Sequence, residues 1–102
     1  MANGDRVFDA LRDPTRRAVL ERLRTGPRPV REIARGLPVT RPAVSQHLKV
    51  LKDAGLVTDR SDGTRRIYCL NPKGLEAVRA WLDRFWEASL AAFAEEAERN
   101  PG

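Results

Sequence analysis

The feature that most constrains this chain is a short amphipathic segment at residues 40–55. Thr40 can cap a helix, and Pro42 falls in the first turn, where a missing N–H does no harm. Gly55 is the residue type that commonly ends a helix. At about 100° per residue, three side chains share one apolar stripe. These are Val44, Leu48 and Leu51. The segment therefore predicts a helix whose buried face must be covered by other elements.

The opposite face of this helix is small, polar and cationic. Short side chains let a helix axis approach the floor of a groove, while Arg and Gln can read guanine and adenine edges. A lysine further from the helix tip suits a phosphate better. An ordinary amphipathic helix with a solvated outer face is the alternative, but the neighbouring elements favour contact with double-stranded DNA. The predicted contacts are Arg41, Pro42, Ser45, Gln46 and Lys49.

A β-hairpin with an arginine-rich tip is predicted next. Residues 56–60 and 65–70 have the composition of strands, and the Asp-Gly pair within 61–64 is a strong hairpin signal. The arginines are expected to contact phosphates or the minor groove. They also discourage edge-to-edge aggregation of strands, and both roles can hold together. The predicted DNA contacts here are Arg60, Arg65 and Arg66.

The remaining elements complete a mainly α fold with a small β-hairpin. Asp13-Pro14 is the start signal of a helix that Gly26-Pro27 ends. Further helices are predicted near 5–12 and 30–35, with a short strand near 28–30. At 102 residues, the chain suits one domain. We predict a winged helix-turn-helix over residues 1–102, with the helix-turn-helix at 30–54, the wing at 56–70 and a C-terminal helix at 72–98.

Charge is distributed unevenly along the chain. Residues 1–75 carry 16 Lys and Arg against 8 Asp and Glu, whereas residues 76–102 carry 3 against 6. A basic N-terminal part, residues 1–75, favours a polyanionic partner. The charged content of 32% and the absence of a long apolar run argue against a membrane protein. No signal peptide is visible, and the single cysteine fits a reducing compartment. We therefore expect a cytoplasmic protein.

The predicted last helix carries an apolar stripe too long and wide for so small a domain to cover. A patch of that extent normally meets another protein surface. A second copy is the simplest partner, because a two-fold dimer presents two helices to a pseudo-palindromic site. The alternative is that the helix packs back on the N-terminal part of its own chain. The predicted dimer contacts are Val7, Phe8, Leu11, Val78, Leu82, Phe85, Trp86, Leu90 and Phe93.

Four stretches of the chain carry a family resemblance. They are residues 13–17, 44–51, 54–57 and 63–68, and together they resemble the ArsR/SmtB family of bacterial transcriptional repressors over about residues 6–93. The resemblance implies a dimeric winged-helix fold, operator binding and repression that a ligand usually releases, often with control of the regulator's own gene. It also implies base-facing positions at Arg41, Pro42, Ser45 and Gln46.

The chain departs from the metal-sensing members of that family. Those members often carry paired cysteines on the third helix, or Asp, His and Glu ligands on the last one. Here there is one Cys and one His in the whole sequence, so no thiolate or imidazole cluster can form within a subunit. We predict no metal and no cofactor, although an all-carboxylate site and the effector stay open. Cys69 is expected to be a small apolar filler and His47 a partly buried histidine.

The sequence thus predicts a homodimeric, sequence-specific DNA-binding regulator. A repressor of an inverted-repeat operator, including its own, is the leading hypothesis. The alternative is a winged-helix protein-interaction module that docks its basic hairpin on an acidic partner, although the short polar helix front suits a groove better. No catalytic residue is predicted, because the sequence shows no Ser/His/Asp set and no Gly-rich phosphate cradle.

Overall fold

The computed structural model describes residues 2–99, with side chains described from Arg6 onward. The ends of the predicted 1–102 domain, residue 1 and residues 100–102, lie outside the described residues. The described part has the predicted mainly α architecture with a hairpin. Its elements are α1 (Ala2–Leu11), α2 (Pro14–Glu21), β1 (Arg28–Pro29), α3 (Val30–Ala34), α4 (Arg41–Asp53), β2 (Val57–Asp62), β3 (Arg65–Leu70) and α5 (Pro72–Arg99).

The junction between α1 and α2 is fixed by an N-cap. The Asp13 carboxylate accepts hydrogen bonds from the backbone N–H of Thr15 at 2.8 Å and of Arg16 at 3.3 Å. The Thr15 bond is the largest of the causes that lower the pKa of Asp13. The Arg16 side chain also donates to the Ala10 carbonyl at 2.8 Å, which ties α2 to the end of α1. The start of α2 is as predicted, but the helix ends at Glu21, because turns replace the helix before Gly26.

Local signals set both ends of α4. The Thr40 hydroxyl accepts a hydrogen bond from the Ala43 N–H at 3.2 Å, as expected of an N-cap. At the other end, Gly55 has φ 82°, and the Leu56 N–H donates to the Leu51 carbonyl at 2.9 Å. That six-to-one bond is the Schellman closure of a helix. Between the two ends, the predicted apolar stripe is fully buried.

The hairpin is tighter than predicted. Asp62 pairs with Arg65 in the register of β2 and β3, so the loop contains only Gly63 and Thr64. Gly63 has φ 65°, and no non-glycine residue in the described range has a positive φ. This is the pattern of a type II′ turn, which takes Gly at its first central position. The predicted hairpin is present, but its loop is shorter than the predicted 61–64, because Ser61 and Asp62 continue the strand. β3 also pairs with β1, which gives the sheet order β1-β3-β2.

One core joins the four shorter helices to the start of β2. Its buried members are Val7, Ala10, Val19, Leu23, Ile33, Val44, Leu48, Leu51, Ala54, Leu56 and Val57. In contrast, α5 has no buried residue and packs on this core only through its first turns, with Leu75 and Val78. No helix within residues 2–99 is long and apolar enough to cross a membrane.

A close backbone contact joins the end of α4 to the start of α5. The Asn71 side-chain amide donates to the Gly55 carbonyl at 2.9 Å, and the Asn71 N–H donates to the Leu56 carbonyl at 2.9 Å. Gly74, in the first turn of α5, lies so near that a Cβ added there would overlap the Gly55 carbonyl oxygen. The lack of a side chain at Gly74 therefore sets how closely the two helices approach.

Candidate nucleic-acid interface

The first turn of α4 faces the wing, the hairpin formed by β2 and β3, across a cleft of about 430 Å³. Four arginines and no acidic residue are among the side chains that line it, so the cleft suits a polyanion such as a phosphate backbone. We call it the arginine cleft. Its lining residues are Pro29, Val30, Arg31, Arg41, Pro42, Ser45, Thr64, Arg65 and Arg66.

The fold brings five of the eight predicted DNA contacts together in this cleft. Arg41, Pro42 and Ser45 come from the first turns of α4, and Arg65 and Arg66 come from β3. The cleft therefore offers short side chains at its α4 wall and guanidinium groups around them.

The other three predicted contacts lie outside the cleft. Gln46 and Lys49 are exposed on the outer side of α4, and Arg60 is exposed on β2. The Lys49 ammonium pairs with the Asp53 carboxylate at 3.1 Å. Because both side chains are largely exposed, that pair contributes at most about 1 kcal/mol, and an approaching phosphate can replace the carboxylate.

Arg31 is a cleft residue that the sequence reasoning missed. It lies on α3, whose buried residue is Ile33, and its own side chain is exposed. In helix-turn-helix proteins the first helix of the motif crosses the nucleic-acid backbone. An exposed cation on the predicted third helix was therefore the available signal, but only the fold shows that it faces the wing.

Asp59 is a second residue that the sequence reasoning missed. Its side chain is only 8% exposed and lies between Lys52 of α4, at 2.9 Å, and Arg66 of β3, at 3.1 Å. The hydrogen bond from Lys52 is the largest of the causes that lower the pKa of Asp59, and the charges of both cations act in the same direction. This triad ties the wing to α4, so Arg66 positions the wing as well as lining the cleft.

Replacement of Asp59 by Asn is expected to lower the free energy of unfolding at pH 7 by about 1.5 kcal/mol, since two charge-assisted hydrogen bonds weaken. The folded-state pKa lies below the unfolded one. The stabilisation is therefore complete above the unfolded pKa and is lost as the pH falls through the folded pKa. Urea unfolding of both proteins between neutral and acid pH measures this effect.

Asp62→Asn is the matched control for this measurement, because Asp62 forms an exposed pair with Arg65 at 3.2 Å. It is expected to change the free energy of unfolding by less than about 0.5 kcal/mol. A difference between the wild type and Asp59→Asn that stays constant across the pH range would contradict the role of the Asp59 charge.

His47 and Cys69 occupy half-buried positions. His47 lies beside the buried stripe of α4 at intermediate exposure, as predicted. The Cys69 sulfur lies on the wing, 3.1 Å from the Thr58 hydroxyl of the paired strand. The predicted small apolar filler therefore also has a polar neighbour. No group of three His, Cys, Asp or Glu side chains in the described part of the chain is placed to hold a metal ion.

The predicted dimer contacts divide into two groups in the structure. Val7 is 5% exposed and belongs to the core, and Leu11 and Val78 pack against that core. These three residues lie mostly beneath the proposed dimer surface and form little of its exposed area. The others are exposed, as is Trp81, which forms an edge-to-face pair with Phe8 at 5.0 Å and stacks on Phe85 at 5.3 Å. We call the exposed set the α5 apolar face: Trp81, Leu82, Phe85, Trp86, Leu90 and Phe93.

Comparison with known proteins gives a consistent result. Residues 13–59 match the family described as "Bacterial regulatory protein, arsR family". The chain is 62% identical over 91 residues to the HTH-type transcriptional regulator Rv2034 of Mycobacterium tuberculosis, which covers 89% of this chain and 85% of the relative. It is 35% identical over 79 residues to the transcriptional repressor SdpR of Bacillus subtilis, with 78% and 88% covered.

A solved structure shares the fold. The solution structure of the homodimeric winged helix-turn-helix DNA-binding domain Mb0332 from Mycobacterium bovis, a possible ArsR-family transcriptional regulator, matches with a TM-score of 0.69. The two chains are 29% identical, and the match covers 87% of this chain and 82% of that one. This likeness confirms the predicted winged helix-turn-helix fold.

Proposed function

Because this chain belongs to the arsR family of bacterial regulatory proteins, which are transcriptional regulators and not enzymes, we propose that it represses transcription by binding an inverted-repeat operator as a homodimer. A single winged helix-turn-helix domain would supply both the reading surface and the dimer contact. The observation that carries the proposal is the arginine cleft between the first turn of α4 and the wing.

The α4 helix is the reading element in this proposal. Its N-terminal residues enter the major groove, as recognition helices of this motif do. Arg41 at the tip is suited to bind the O6 and N7 atoms of a guanine, and Gln46 to bind an adenine. Pro42 and Ser45 are short enough to let the helix approach the base edges.

The cations around the reading helix hold the DNA backbone. Arg31 from α3 and Arg65 from the wing reach phosphates at the arginine cleft, and Lys49 reaches one further along α4. Arg60 supports the wing contact from β2. In the free protein Arg65 pairs with Asp62 at 3.2 Å, and that exposed pair is weak enough for a phosphate to displace it.

Dimerisation doubles this surface. The α5 apolar face exposes 63% of Trp86 and 75% of Phe93, and Phe8 of α1 extends it through its contact with Trp81. A second copy placed there by a two-fold axis would present the two α4 helices to half-sites about one helical turn apart. The homodimeric relative Mb0332 supports this arrangement. The relative SdpR is a transcriptional repressor, which supports repression, and the family resemblance supports control of the protein's own gene.

Arg41→Ala and Arg31→Ala are expected to separate base reading from backbone binding. The test uses a duplex selected by the wild type from a randomised library, together with a random duplex. Arg41→Ala should weaken the selected duplex about tenfold to hundredfold, with little effect on the random one. Arg31→Ala should weaken both by a similar factor and make the log–log salt slope shallower by about 0.9. Fluorescence anisotropy titrations at several salt concentrations measure both effects.

Arg24→Ala is the matched control, because Arg24 is exposed beyond α2 and pairs with Glu21 at 3.2 Å, away from the cleft. It removes the same charge and is expected to leave both affinities nearly unchanged. If Arg41→Ala keeps full affinity, or if the wild type binds both duplexes equally, the proposal of sequence-specific reading fails and a protein-interaction module becomes the better explanation.

A further inference from the structure

The outer part of the wing has little apolar support from the rest of the protein. Every residue from 60 to 66 is exposed, whereas Val57 and Ile67, nearer the base of the hairpin, are buried. The pairing of β3 with β1 is also confined to this base, at Ile67 and Tyr68. Apolar packing therefore holds the base of the wing, and something else must fix the direction of its outer part.

Asp59 joins the outer part of the wing to α4. One carboxylate oxygen lies 2.9 Å from the ammonium of Lys52, in the last turn of α4, and the other lies 3.1 Å from the guanidinium of Arg66 on β3. In the described part of the chain, no other side-chain hydrogen bond or ion pair joins the wing to α4. Because charge-assisted hydrogen bonds are strong and directional, this triad is suited to fix the angle between the wing and α4.

The two arginines of the cleft that follow the turn have different carboxylate partners. Asp62, which pairs with Arg65, is 58% exposed, whereas Asp59, which pairs with Arg66, is 8% exposed. An exposed pair is weak, so a phosphate can displace its carboxylate. A nearly buried carboxylate cannot give up its cations without a large cost, because little water reaches it. Arg65 is thus available to a phosphate, while Arg66 stays bound to Asp59.

We propose that Asp59 is a positioning residue that sets how well the protein distinguishes operator from random DNA, without touching DNA itself. By holding Lys52 and Arg66, Asp59 keeps the wing at the angle at which Arg65 meets a phosphate while Arg41 reads a base. A wing that is fixed before binding avoids the entropic cost of being ordered on the DNA. This inference rests on the proposed function, because it concerns the same surface.

The effect of Asp59 on specificity differs from its effect as a charge. Random DNA is bound through phosphates, which many wing positions can reach, whereas operator reading needs base and phosphate contacts in one geometry. A loosened wing therefore weakens operator binding and spares random binding. Removal of the Asp59 charge also makes the protein more cationic, which strengthens binding to any DNA. The first effect dominates on the operator, and the second dominates on random DNA.

Asp59→Asn is expected to lower affinity for a duplex selected by the wild type about tenfold, and to raise affinity for a random duplex up to about threefold. The released Arg66 should then bind a phosphate, so the log–log salt slope on the random duplex becomes steeper by about 0.9. Addition of Arg66→Gln should remove this extra slope. Fluorescence anisotropy titrations at several salt concentrations measure these changes, at a temperature where urea unfolding shows each variant to be folded.

Two further variants separate position from charge. Lys52→Gln removes the other hydrogen bond to Asp59 and changes the net charge in the opposite direction, yet it should also lower the ratio of operator to random affinity about tenfold. Asp62→Asn is the matched control. It removes the same charge as Asp59→Asn from the same strand, but its pair with Arg65 is exposed. It should raise both affinities by a similar factor and leave their ratio unchanged.

The outcomes distinguish this inference from the proposed function. A wild-type ratio that persists in Asp59→Asn, or ratios that change in opposite directions in Asp59→Asn and Lys52→Gln, would refute the positioning role. Equal losses on both duplexes in Asp59→Asn would also refute it, because they show only a loss of active protein. A wild type that binds both duplexes equally would instead refute the proposed function.

The fixed direction of the wing is tested without DNA, on the full ¹⁵N-labelled chain. The heteronuclear ¹⁵N NOE of residues 61–66 is expected to fall in Asp59→Asn and in Lys52→Gln, because the outer wing gains motion on the picosecond to nanosecond timescale. Asp53→Asn is the control, since it removes a carboxylate of an exposed pair from the same end of α4. NOE values that are the same in all four proteins would show that the triad does not hold the wing, and would overturn the proposal.

Discussion

Trp86→Glu is expected to convert the proposed homodimer to a monomer and to lower affinity for an inverted-repeat operator by about a hundredfold to ten-thousandfold. Trp86 lies in the middle of the α5 apolar face and is 63% exposed in the single chain. A carboxylate there stays in water in the monomer, but it loses its hydration without a partner when a second apolar face covers it. The penalty therefore falls on association and not on the fold of one chain.

The loss of operator affinity follows from the loss of linkage between two reading helices. In a dimer, the second α4 binds its half-site as an intramolecular event at high effective concentration, and a monomer lacks that advantage. The monomeric variant should still bind a single half-site with the affinity of one wild-type reading surface, because the arginine cleft shares no residue with the α5 apolar face. Analytical ultracentrifugation and anisotropy titrations on full and half operators measure the two quantities.

Ala80→Glu is the matched control for this substitution. It introduces the same charge into the same helix, but Ala80 lies about 160° from Leu82 around the helix axis, and thus on the opposite side from the α5 apolar face. It is exposed and is expected to leave the dimer and the operator affinity intact. A Trp86→Glu protein that remains a dimer with full operator affinity would show that α5 does not form the interface.

The parts of the fold that the sequence predicts best are those fixed by local contacts. The α4 helix is the clearest case, since each of its two ends is formed locally. The cap at Thr40 and the end at Gly55 each depend on residues about one turn away. The hairpin shows the limit of this reasoning. Both Asp62-Gly63 and Gly63-Thr64 are acceptable two-residue turns, and the choice between them depends on how far β2 pairs with β3.

The candidate site likewise has residues that the local sequence predicts and residues that only the packed fold reveals. Arg41, Pro42 and Ser45 follow from the phase of one helix, so the sequence is sufficient to predict which way they face. Arg31 and Asp59 enter the site only because α3, α4 and the wing pack together. Their signals in the sequence, one arginine among 19 Lys and Arg and one acid among 14, do not distinguish them from solvated surface charges.

Gly74 is the most consequential residue that no sequence pattern revealed. A glycine in the first turn of a predicted helix normally signals only lower helix propensity, by about 1 kcal/mol relative to alanine. The structure shows that its role is close approach, because the backbone of Gly55 occupies the space where a side chain would start. The proposed reading helix, α4, and the proposed dimer helix, α5, meet at this contact.

Gly74→Ala is therefore expected to lower the free energy of unfolding by about 3 kcal/mol, although helix propensity alone would raise it by about 1 kcal/mol. The added Cβ would overlap the Gly55 carbonyl oxygen and lie 2.8 Å from the Gly55 carbonyl carbon and 3.4 Å from the Leu56 Cα. These atoms are backbone, and hydrogen bonds from Asn71 and to Leu51 hold them in place. The clash cannot be relieved by a side-chain rotation, so α5 must move away from α4.

Urea unfolding at one fixed protein concentration measures this change, because the stability of a dimer depends on concentration. Glu76→Ala is the control, since Glu76 is exposed on the same helix and should change the free energy of unfolding by less than about 0.5 kcal/mol. A Gly74→Ala protein as stable as the wild type would mean that propensity outweighs the clash and that α4 and α5 can separate at little cost. Since the proposed reading helix and the proposed dimer helix meet at this contact, a destabilised Gly74→Ala protein that still folds at low temperature should also bind operator more weakly.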